Sequence, residues 1–368
     1  MPHADDRSAG VVRFDLTLAG FGNVGRRFAR LLDERRDRLA NDHGLAARIV
    51  GIATGRHGAA FDANGLDVAR ALALAESGAR LDELHDRHSG LPPASGVELI
   101  ERHARHAADP DAPRVVVETT ILDVVRAQPA LDHIRAALAS GADVVTANKG
   151  PVALAYRELA ALAESAGRAF LFEGAVMDGI PIFNLVREAL PAVTIEGFRG
   201  IINTTTNHIL TAMERGRPFE EALAEMQTAG TAEADPSLDV DGWDAAAKTA
   251  ALVNVLMGGD TTPQQIDRTG IGPWTAAAVR EAAARGRRLR FVAQASQRGS
   301  RVEARVAPVE LAPDDLLAGL SGDANALVFR TDLLGEVAIV QMGSSLTQTA
   351  YALVSDLVEV RRRLRGPA

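Results

Sequence analysis

Two lysines are the first candidates for chemistry, because the chain uses arginine almost everywhere else that it needs a cation. Lysine and arginine together number 40, and only Lys149 and Lys248 are lysines. Arginine stays charged at all ordinary pH values, whereas its surroundings can remove the proton from a lysine ammonium. The two lysines are therefore candidates for proton transfer. Biased codon usage explains the arginines, and survival of two lysines by chance is the alternative.

A run of carboxylates precedes the second lysine. Five of them lie between residues 230 and 248: Glu233, Asp235, Asp239, Asp241 and Asp244. Asp244 and Lys248 are four residues apart, so on a helix they share one face, and acids suit the start of such a helix. We interpret the segment as a site for a small ammonium-bearing substrate, with Lys248 as a proton donor. A capped helix with a surface ion pair is the alternative.

A glycine pattern near the start of the chain predicts a dinucleotide site. Gly20-x-Gly22-x-x-Gly25 directly follows a predicted strand, residues 11–19, and opens a predicted helix. In this setting Gly20 allows the tight turn, Gly22 lets the backbone approach a pyrophosphate, and Gly25 lets helix and strand pack closely. The helix start also offers oriented N–H groups to phosphates. A plain glycine turn is the alternative.

The residues after the second predicted strand bear on the choice of cofactor. An NAD site usually places an acid there to bind the ribose hydroxyls. This chain has Thr54-Gly55-Arg56-His57, which contains no acid. Because Arg56 can pair with a 2′-phosphate, the sequence favours NADP over NAD. A solvated loop arginine is the alternative.

Lys149 lies at the carboxyl end of the predicted fourth strand, in the stretch Thr146-Ala147-Asn148-Lys149-Gly150-Pro151. Doubly wound sheets bind ligands in the crevice at this edge, so a lysine there can meet both nicotinamide and substrate. A surface-loop lysine is the alternative. Gly343-Ser344-Ser345, before the final predicted helix, is a second candidate for backbone contact with the cofactor.

Two further loops are candidates for binding. Residues 173–181 join a strand to a helix, and Glu173 with exposed carbonyls there can hold a hard cation; a structural turn is the alternative. Residues 200–207 end in the polar run Asn203-Thr204-Thr205-Thr206-Asn207. That run offers hydrogen bonds to a polar ligand, although such runs also cap helices.

The elements that position these residues indicate an α/β protein. Strand and helix alternate over about the first 150 residues, as a Rossmann-type, doubly wound parallel sheet requires. Short apolar runs between residues 290 and 340 predict a second, α+β domain with a mostly antiparallel sheet, and residues 346–363 predict a final helix.

Composition narrows the class of protein. With 368 residues the chain is long enough for two domains, and 47% hydrophobic with 24% charged residues is typical of a soluble globular protein. The net charge of −8 with no large basic cluster predicts no nucleic-acid partner, and no apolar run is long enough for a membrane span. The absence of cysteine excludes thiol chemistry and fits a reducing cytoplasm.

Taken together, the motifs resemble those of homoserine dehydrogenases. The matching pieces follow the family's order over nearly the whole chain: Gly20-Phe21-Gly22-Asn23-Val24-Gly25, residues 146–151, residues 172–181, Gly200-Ile201-Ile202-Asn203-Thr204-Thr205, residues 233–236, residues 241–248, Gly343, Thr349-Ala350 and Asp356. The resemblance implies NAD(P)-linked interconversion of L-homoserine and L-aspartate 4-semialdehyde, in the synthesis of threonine and methionine.

The resemblance also implies roles for individual residues. Lys149 and Lys248 lie at the reacting oxygen, Lys248 is the acid/base, and Asp244 orients Lys248 or the substrate. Glu233 and Asp239 bind the amino group of the substrate, with Thr205 nearby. The implied cofactor contacts are Gly20, Phe21, Gly22, Asn23, Val24, Gly25, Arg56, Thr119, Thr120, Asn148, Lys149 and Gly343. A monovalent cation, Na⁺ or K⁺, is implied at Glu173, Val176 and Asp178.

The implied architecture is a homodimer of two-domain subunits. Residues 10–151 and 342–365 form the nucleotide-binding domain, and residues 152–341 form the catalytic and dimerisation domain. Met177-Asp178 and Ser344-Ser345 replace residues that are usually small in the family. We expect neither an aspartokinase nor a C-terminal regulatory domain, and hence no threonine feedback through one. A dehydrogenase for another amino-acid semialdehyde, or a non-catalytic NADP-binding regulator, remains open; the lysine pair and the carboxylates argue against the second.

Overall fold

The computed structural model describes residues 10–228 and 235–365, and its first part is a sheet of mostly parallel strands. The strands are β1 (Val12–Ala19), β2 (Leu45–Thr54), β3 (Gly58–Phe61), β4 (Arg114–Glu118), β5 (Asp143–Thr146) and β6 (Phe170–Leu171). Their order is β3-β2-β1-β4-β5-β6, and only the β2–β3 pair is antiparallel. The predicted doubly wound sheet is confirmed.

Helices cover both faces of this sheet, as parallel strands that are apolar on both sides require. They are α1 (Asn23–Glu34), α2 (Arg36–His43), α3 (Val68–Ser77), α4 (Gly96–Arg105), α5 (Ala130–Ala139) and α6 (Lys149–Ala166). Strand β1 lies between β2 and β4, so the chain builds the sheet outward from β1 first on the β2 side and then on the β4 side. The crevice for a ligand is therefore expected at the carboxyl ends of β1 and β4.

The second sheet is mostly antiparallel, as predicted. Its strands are β7 (Ile195–Ile201), β8 (Asp267–Arg268), β9 (Arg288–Arg298), β10 (Arg301–Leu311), β11 (Asn325–Thr331) and β12 (Gly335–Gln341), in the order β12-β11-β7-β9-β10-β8. The helices of this part are α7 (Ile182–Asn184), α8 (Thr204–Glu214), α9 (Phe219–Thr228), α10 (Ser237–Val240), α11 (Trp243–Leu256) and α12 (Ala276–Ala284).

Helix α11 connects the two parts of the molecule. It packs between α6 and strands β9 and β10, and its alanines are buried on several sides: Ala245, Ala246, Ala247, Ala250 and Ala251. Small side chains let neighbouring backbones come close. The last helix, α13 (Leu346–Arg363), returns to the first sheet and packs on α1 through a buried cluster that includes Leu353 and Leu357.

Polar caps fix the starts of three helices near the crevice. The side chain of Asn148 accepts a hydrogen bond from the Gly150 amide at the start of α6, and Asn203 does the same for α8. Ser345 caps α13, where Gln348 completes a capping box. Such caps satisfy otherwise unpaired N–H groups, so the polar runs seen in the sequence set where these helices begin.

No helix within residues 10–228 and 235–365 combines the length and the apolar character that crossing a bilayer demands.

Candidate active site

The glycine loop between β1 and α1 has the shape of a phosphate cradle. Gly20 has φ +102°, and a Cβ there would lie 2.7 Å from the backbone carbon and oxygen of Thr119. A Cβ at Gly25 would lie 2.9 Å from the carbonyl oxygen of Gly20. At Gly22, by contrast, no described residue lies within 4 Å of a Cβ position. The loop therefore packs tightly on its protein side and is open where a pyrophosphate would approach.

Replacing Gly20 by alanine is expected to raise the dissociation constant of NADPH at least about tenfold, because the methyl group meets the Thr119 backbone and distorts the loop. Left-handed backbone alone costs an L-residue about 1–2 kcal/mol, so the Tm falls as well. Fluorescence titration with NADPH and thermal melts measure both effects.

Gly78→Ala is the matched control for that variant. Gly78 has φ +78° with no described atom near its Cβ position, at the end of α3. The Gly78→Ala variant should be less stable than the wild type and should bind the cofactor with unchanged affinity. Equal NADPH affinity in Gly20→Ala and the wild type would show that the loop does not hold the cofactor.

The predicted cofactor residues after β4 and β5 lie together beside this loop. Thr119 donates from its amide to the Ala19 carbonyl (2.8 Å) and from its hydroxyl to the Gly20 carbonyl (3.1 Å). The side-chain amide of Asn148 donates to the Thr120 carbonyl at 3.2 Å. The carboxyl ends of β1, β4 and β5 are thus joined into one edge, as the crevice of a doubly wound sheet requires.

The other predicted cofactor contacts occupy different surroundings. Asn23 is exposed at the start of α1, and Val24 is half-buried. The Phe21 side chain is buried in the core, so this loop residue offers only its backbone to a cofactor. Arg56 is exposed in the turn between β2 and β3. Gly343 lies between β12 and α13.

The two lysines meet at one carboxylate. Lys149, the first residue of α6, donates from Nζ to Asp244 Oδ1 at 2.8 Å. Lys248 Nζ lies 2.9 Å from Asp244 Oδ2, and both of these residues are on α11. Packing of α6 against α11 therefore brings together two amines that are remote in sequence, with the bridging carboxylate buried between them.

Asn203 extends this cluster to a second acid. Its side-chain amide donates to Asp239 Oδ1 (2.7 Å) and to Asp244 Oδ2 (2.9 Å). The Thr205 hydroxyl also bonds to Asp239, and the carbonyl of Ile202 accepts from Lys248 Nζ at 2.8 Å. Asp239 and Thr205, predicted as substrate residues, thus lie against the lysine pair. Glu233, the remaining predicted substrate residue, lies outside the described residues.

The charges in the cluster set its protonation. Burial opposes ionisation of Asp244, but the Lys149 and Lys248 ammonium groups outweigh it and hold the pKa of Asp244 far below its usual range. Burial disfavours the charged form of Lys248, yet Asp244 outweighs it and raises the pKa of that ammonium. Burial, and then repulsion from Asp244, raise the pKa of Asp239. Lys248 is therefore protonated at neutral pH.

The loop predicted to hold a cation uses its acidic side chains elsewhere. Both carboxylate oxygens of buried Glu173 accept backbone N–H groups, from Phe183 and Asn184, at 2.8 Å each, and burial raises the pKa of Glu173. Asp178 accepts hydrogen bonds from Gln341, Ser344 and Thr349, which lie just before and at the start of α13.

Within the described part of the chain, no group of three or more His, Cys, Asp or Glu side chains is arranged to hold a metal ion. A cation in this loop would consequently depend on backbone carbonyls, such as those of Val176 and Asp178. The predicted cation site stays a prediction.

Comparison with known proteins gives the family. A model described as the NAD binding domain of homoserine dehydrogenase matches residues 20–173, and the homoserine dehydrogenase model matches residues 181–358. The NAD(+)-dependent homoserine dehydrogenase of Pseudomonas canavaninivorans is 34% identical over 353 residues, which cover 96% of this chain and 97% of that protein. The chain belongs to the homoserine dehydrogenase family. The resemblance found in the sequence is confirmed, and the protein is an NAD(P)-dependent dehydrogenase.

Solved structures of the family share the fold. A homoserine dehydrogenase from Thiobacillus denitrificans superposes with a TM-score of 0.78 at 32% identity, covering 97% of this chain and 75% of that one. A hyperthermophilic archaeal homoserine dehydrogenase in complex with NADPH gives a TM-score of 0.76 at 29% identity, covering 97% of this chain and 99% of that one.

The sequence indicated Asn203 only as one member of a polar run that could bind a ligand or cap a helix, and it gave no role to the Ile202 carbonyl. A signal was present, because an asparagine directly after a strand and before a helix is a typical N-cap. Its side-chain nitrogen is free to bind acids while its oxygen caps α8 through the Thr206 amide. Only the fold shows which acids those are.

Proposed function

We propose that this protein interconverts L-homoserine and L-aspartate 4-semialdehyde with NAD(P). The observation that carries the proposal is the Lys149–Asp244–Lys248 cluster, which lies beside Asp239 and next to the cofactor edge of the first sheet. An amino acid with an alcohol or aldehyde at its far end needs these two features at once: cations at the reacting oxygen and acids at the amino group.

Lys248 is the proton donor and acceptor in the proposed mechanism. A lysine ammonium has three N–H bonds, and two of them are directed at Asp244 and the Ile202 carbonyl. The remaining one donates to the substrate oxygen during aldehyde reduction and is restored during alcohol oxidation. When bound, the cofactor supplies or accepts the hydride at the carbon that bears this oxygen.

Lys149 and Asp244 support that proton transfer. The Lys149 ammonium stabilises negative charge that develops on the oxygen, as preorganised cations do in other active sites. Asp244 holds both amines in place through its two oxygens. Because it keeps Lys248 charged, the cluster is prepared for aldehyde reduction.

Asp239 is proposed to bind the substrate's ammonium group, with Thr205 as its hydrogen-bond partner and Glu233 as a second acid. Burial and repulsion from Asp244 raise the pKa of Asp239, and they outweigh the attraction of the Lys248 ammonium. A substrate ammonium would remove that cost by stabilising the ionised carboxylate. Binding of the amino end and ionisation of Asp239 are thus coupled.

The decisive experiment follows reduced nicotinamide spectrophotometrically with L-homoserine and with a panel of other 2-amino alcohols, using NAD⁺ and NADP⁺ in turn. Turnover of L-homoserine above the rest of the panel supports the proposal. Preference for another member identifies a related semialdehyde dehydrogenase. Tight cofactor binding without turnover of any substrate favours a non-catalytic regulator.

We further propose NADP as the preferred cofactor. Relatives include both an NAD(+)-dependent enzyme and an NADPH complex, so the choice depends on local residues. Exposed Arg56 follows β2, where a 2′-phosphate would lie.

Arg56→Ala is expected to raise the KM for NADP⁺ about 10- to 100-fold, since a hydrogen bond to a charged group contributes about 1.5–3 kcal/mol. The KM for NAD⁺ should stay unchanged, which makes NAD⁺ the internal control. A strong preference for NAD⁺ that the substitution does not alter would reject this assignment.

The remaining proposals concern domains, assembly and setting. Residues 10–151 and 342–365 would bind the nucleotide, and residues 152–341 would carry the catalytic and dimerisation surfaces.

Helices α8, α11 and α12 pack on one face of the second sheet. Polar side chains such as Gln294, Arg330 and Glu336 line its opposite face, which we propose as the homodimer contact. Light scattering after size exclusion tests the dimer.

Cation use and pathway have separate tests. Dependence of kcat or cofactor affinity on Na⁺ or K⁺, with choline as the substitute cation, tests the loop at Glu173. Growth of a homoserine-requiring strain that expresses the protein tests its proposed place in cytoplasmic threonine and methionine synthesis.

A further inference from the structure

A fully buried acid, Glu118, lies beneath the crevice without facing it. It is the last residue of β4, and its exposed fraction is 0%. Oε1 accepts hydrogen bonds from the Thr120 amide at 2.9 Å and from the Thr120 hydroxyl. The Thr146 hydroxyl is shared between the Glu118 backbone carbonyl at 2.9 Å and Oε2 at 3.1 Å. A buried carboxylate is tolerated only when its oxygens are paired in this way. The acid therefore ties the end of β4 to the end of β5.

The network continues to the first residue of α6. The Thr146 hydroxyl oxygen accepts from the backbone amide of Asn148 at 2.9 Å. The Asn148 side chain donates to the Thr120 carbonyl and caps the helix that begins with Lys149. Hydrogen bonds thus connect Glu118 to Asn148, which is joined to Lys149 by the backbone and caps the first turn of its helix.

A histidine supports the acid from behind. His133 on α5 places Nδ1 3.9 Å from Glu118 Oε1, and this nitrogen has no hydrogen-bond partner among the described residues. Its ring occupies a space left by Gly96, where a Cβ would lie 2.3 Å from Nε2. Close packing with α4 consequently keeps the ring turned toward the carboxylate.

We propose that Glu118, backed by His133, is a positioning residue that sets Lys149 and the Thr119–Thr120 segment for the reaction. The inference rests on the proposed function in one respect, the action of Lys149 at the substrate oxygen. Glu118 does not contact that oxygen; it bonds directly to Thr120, a predicted cofactor contact, and reaches Lys149 only through Thr146, Asn148 and the backbone.

The test compares Glu118→Ala with Glu118→Gln. The alanine variant loses all three hydrogen bonds, and misplacement of a catalytic group by about 1 Å can cost about a hundredfold in rate. We expect kcat to fall about a hundredfold with little change in the KM for L-homoserine. The glutamine variant retains an acceptor oxygen for Thr120 and should recover at least about tenfold of that loss.

A double-mutant cycle separates positioning from general damage. Groups that act through one another are non-additive, so adding Glu118→Ala to Lys149→Met should change kcat less than about threefold. Asp143→Asn is the matched control, because Asp143 is a buried acid at the opposite end of β5 that accepts from the Ala169 amide at 2.7 Å. It should lower the Tm and leave kcat unchanged.

Two measurements do not depend on turnover. In Glu118→Ala, the backbone amides of Thr120 and Asn148 should exchange hydrogen faster than in the wild type, and NADPH should bind more weakly by fluorescence titration; Glu118→Gln should be intermediate in both. If the wild type fails to oxidise L-homoserine, the proposed function falls while these readouts still decide the role of Glu118. Wild-type exchange and affinity in both variants, or full additivity with Lys149→Met, would overturn the inference.

Discussion

Replacing Lys248 by arginine is expected to lower kcat with L-homoserine by about 10²–10⁴-fold, the usual contribution of a positioned proton donor or acceptor. Arginine keeps the positive charge next to Asp244, so the electrostatic balance of the cluster survives. It cannot release a proton in the accessible pH range, so alcohol oxidation loses its base. Initial rates under saturating cofactor and substrate measure the effect.

Comparison with Lys149→Arg makes the prediction specific. The proposed role of Lys149 is electrostatic, so a permanent cation there should retain more activity than the same change at Lys248. NADPH affinity, which depends on the loop at Gly20, should be unchanged in Lys248→Arg. Wild-type kcat in Lys248→Arg would refute the role of Lys248, and equal losses in the two variants would refute the division of labour between the lysines.

The first sheet could be predicted from sequence because its signals are local. Continuous apolar runs such as Val115-Val116-Val117 indicate buried parallel strands, and the Gly20–Gly25 pattern is legible only between a strand and a helix. Helix α4 is not among the predicted elements, because its charged residues and His103 are typical of a solvated segment. Its Ser95–Glu98 spacing was a usable sign, since Ser95 accepts from the Glu98 amide and the Glu98 side chain accepts from Ala94.

The residues of the lysine–carboxylate cluster could be predicted from the sequence, but the contacts between them could not. Lysine scarcity and the carboxylate run identified Lys149, Asp244 and Lys248, because residue type and helical spacing are visible in a sequence. Which acid bridges the two amines depends on how α6 packs against α11, and that contact joins distant parts of the chain. The hydrogen bonds that Asp178 accepts from Ser344 and from Thr349 in α13 also join distant parts of the chain, so the sequence could not predict them.

Replacing Asp244 by asparagine should separate the two directions of the reaction by pH. Burial lowers the pKa of Lys248, and the Asp244 carboxylate does most to raise it, ahead of the smaller contributions of Asp178 and Asp239. Without the carboxylate, burial prevails and the pKa of Lys248 falls; an opposite charge at this distance accounts for about 1–3 pH units. Aldehyde reduction needs the protonated amine, so its alkaline limit moves to lower pH. Alcohol oxidation needs the neutral amine, so its acidic limit moves the same way.

Profiles of kcat against pH in both directions measure these limits. The asparagine also leaves Lys149 and Lys248 without their shared counter-charge, so Tm is recorded and rates are taken well below it. Asp241→Asn is the matched control, because Asp241 is an exposed acid just before α11 and makes no contact with either lysine amine; its profiles should coincide with those of the wild type. If Asp244→Asn lowers kcat while both limits stay in place, Asp244 only orients the amines and another group sets the proton affinity of Lys248. A limit that moves to higher pH would contradict the electrostatic account altogether, since removing a neighbouring anion cannot make an ammonium hold its proton more tightly.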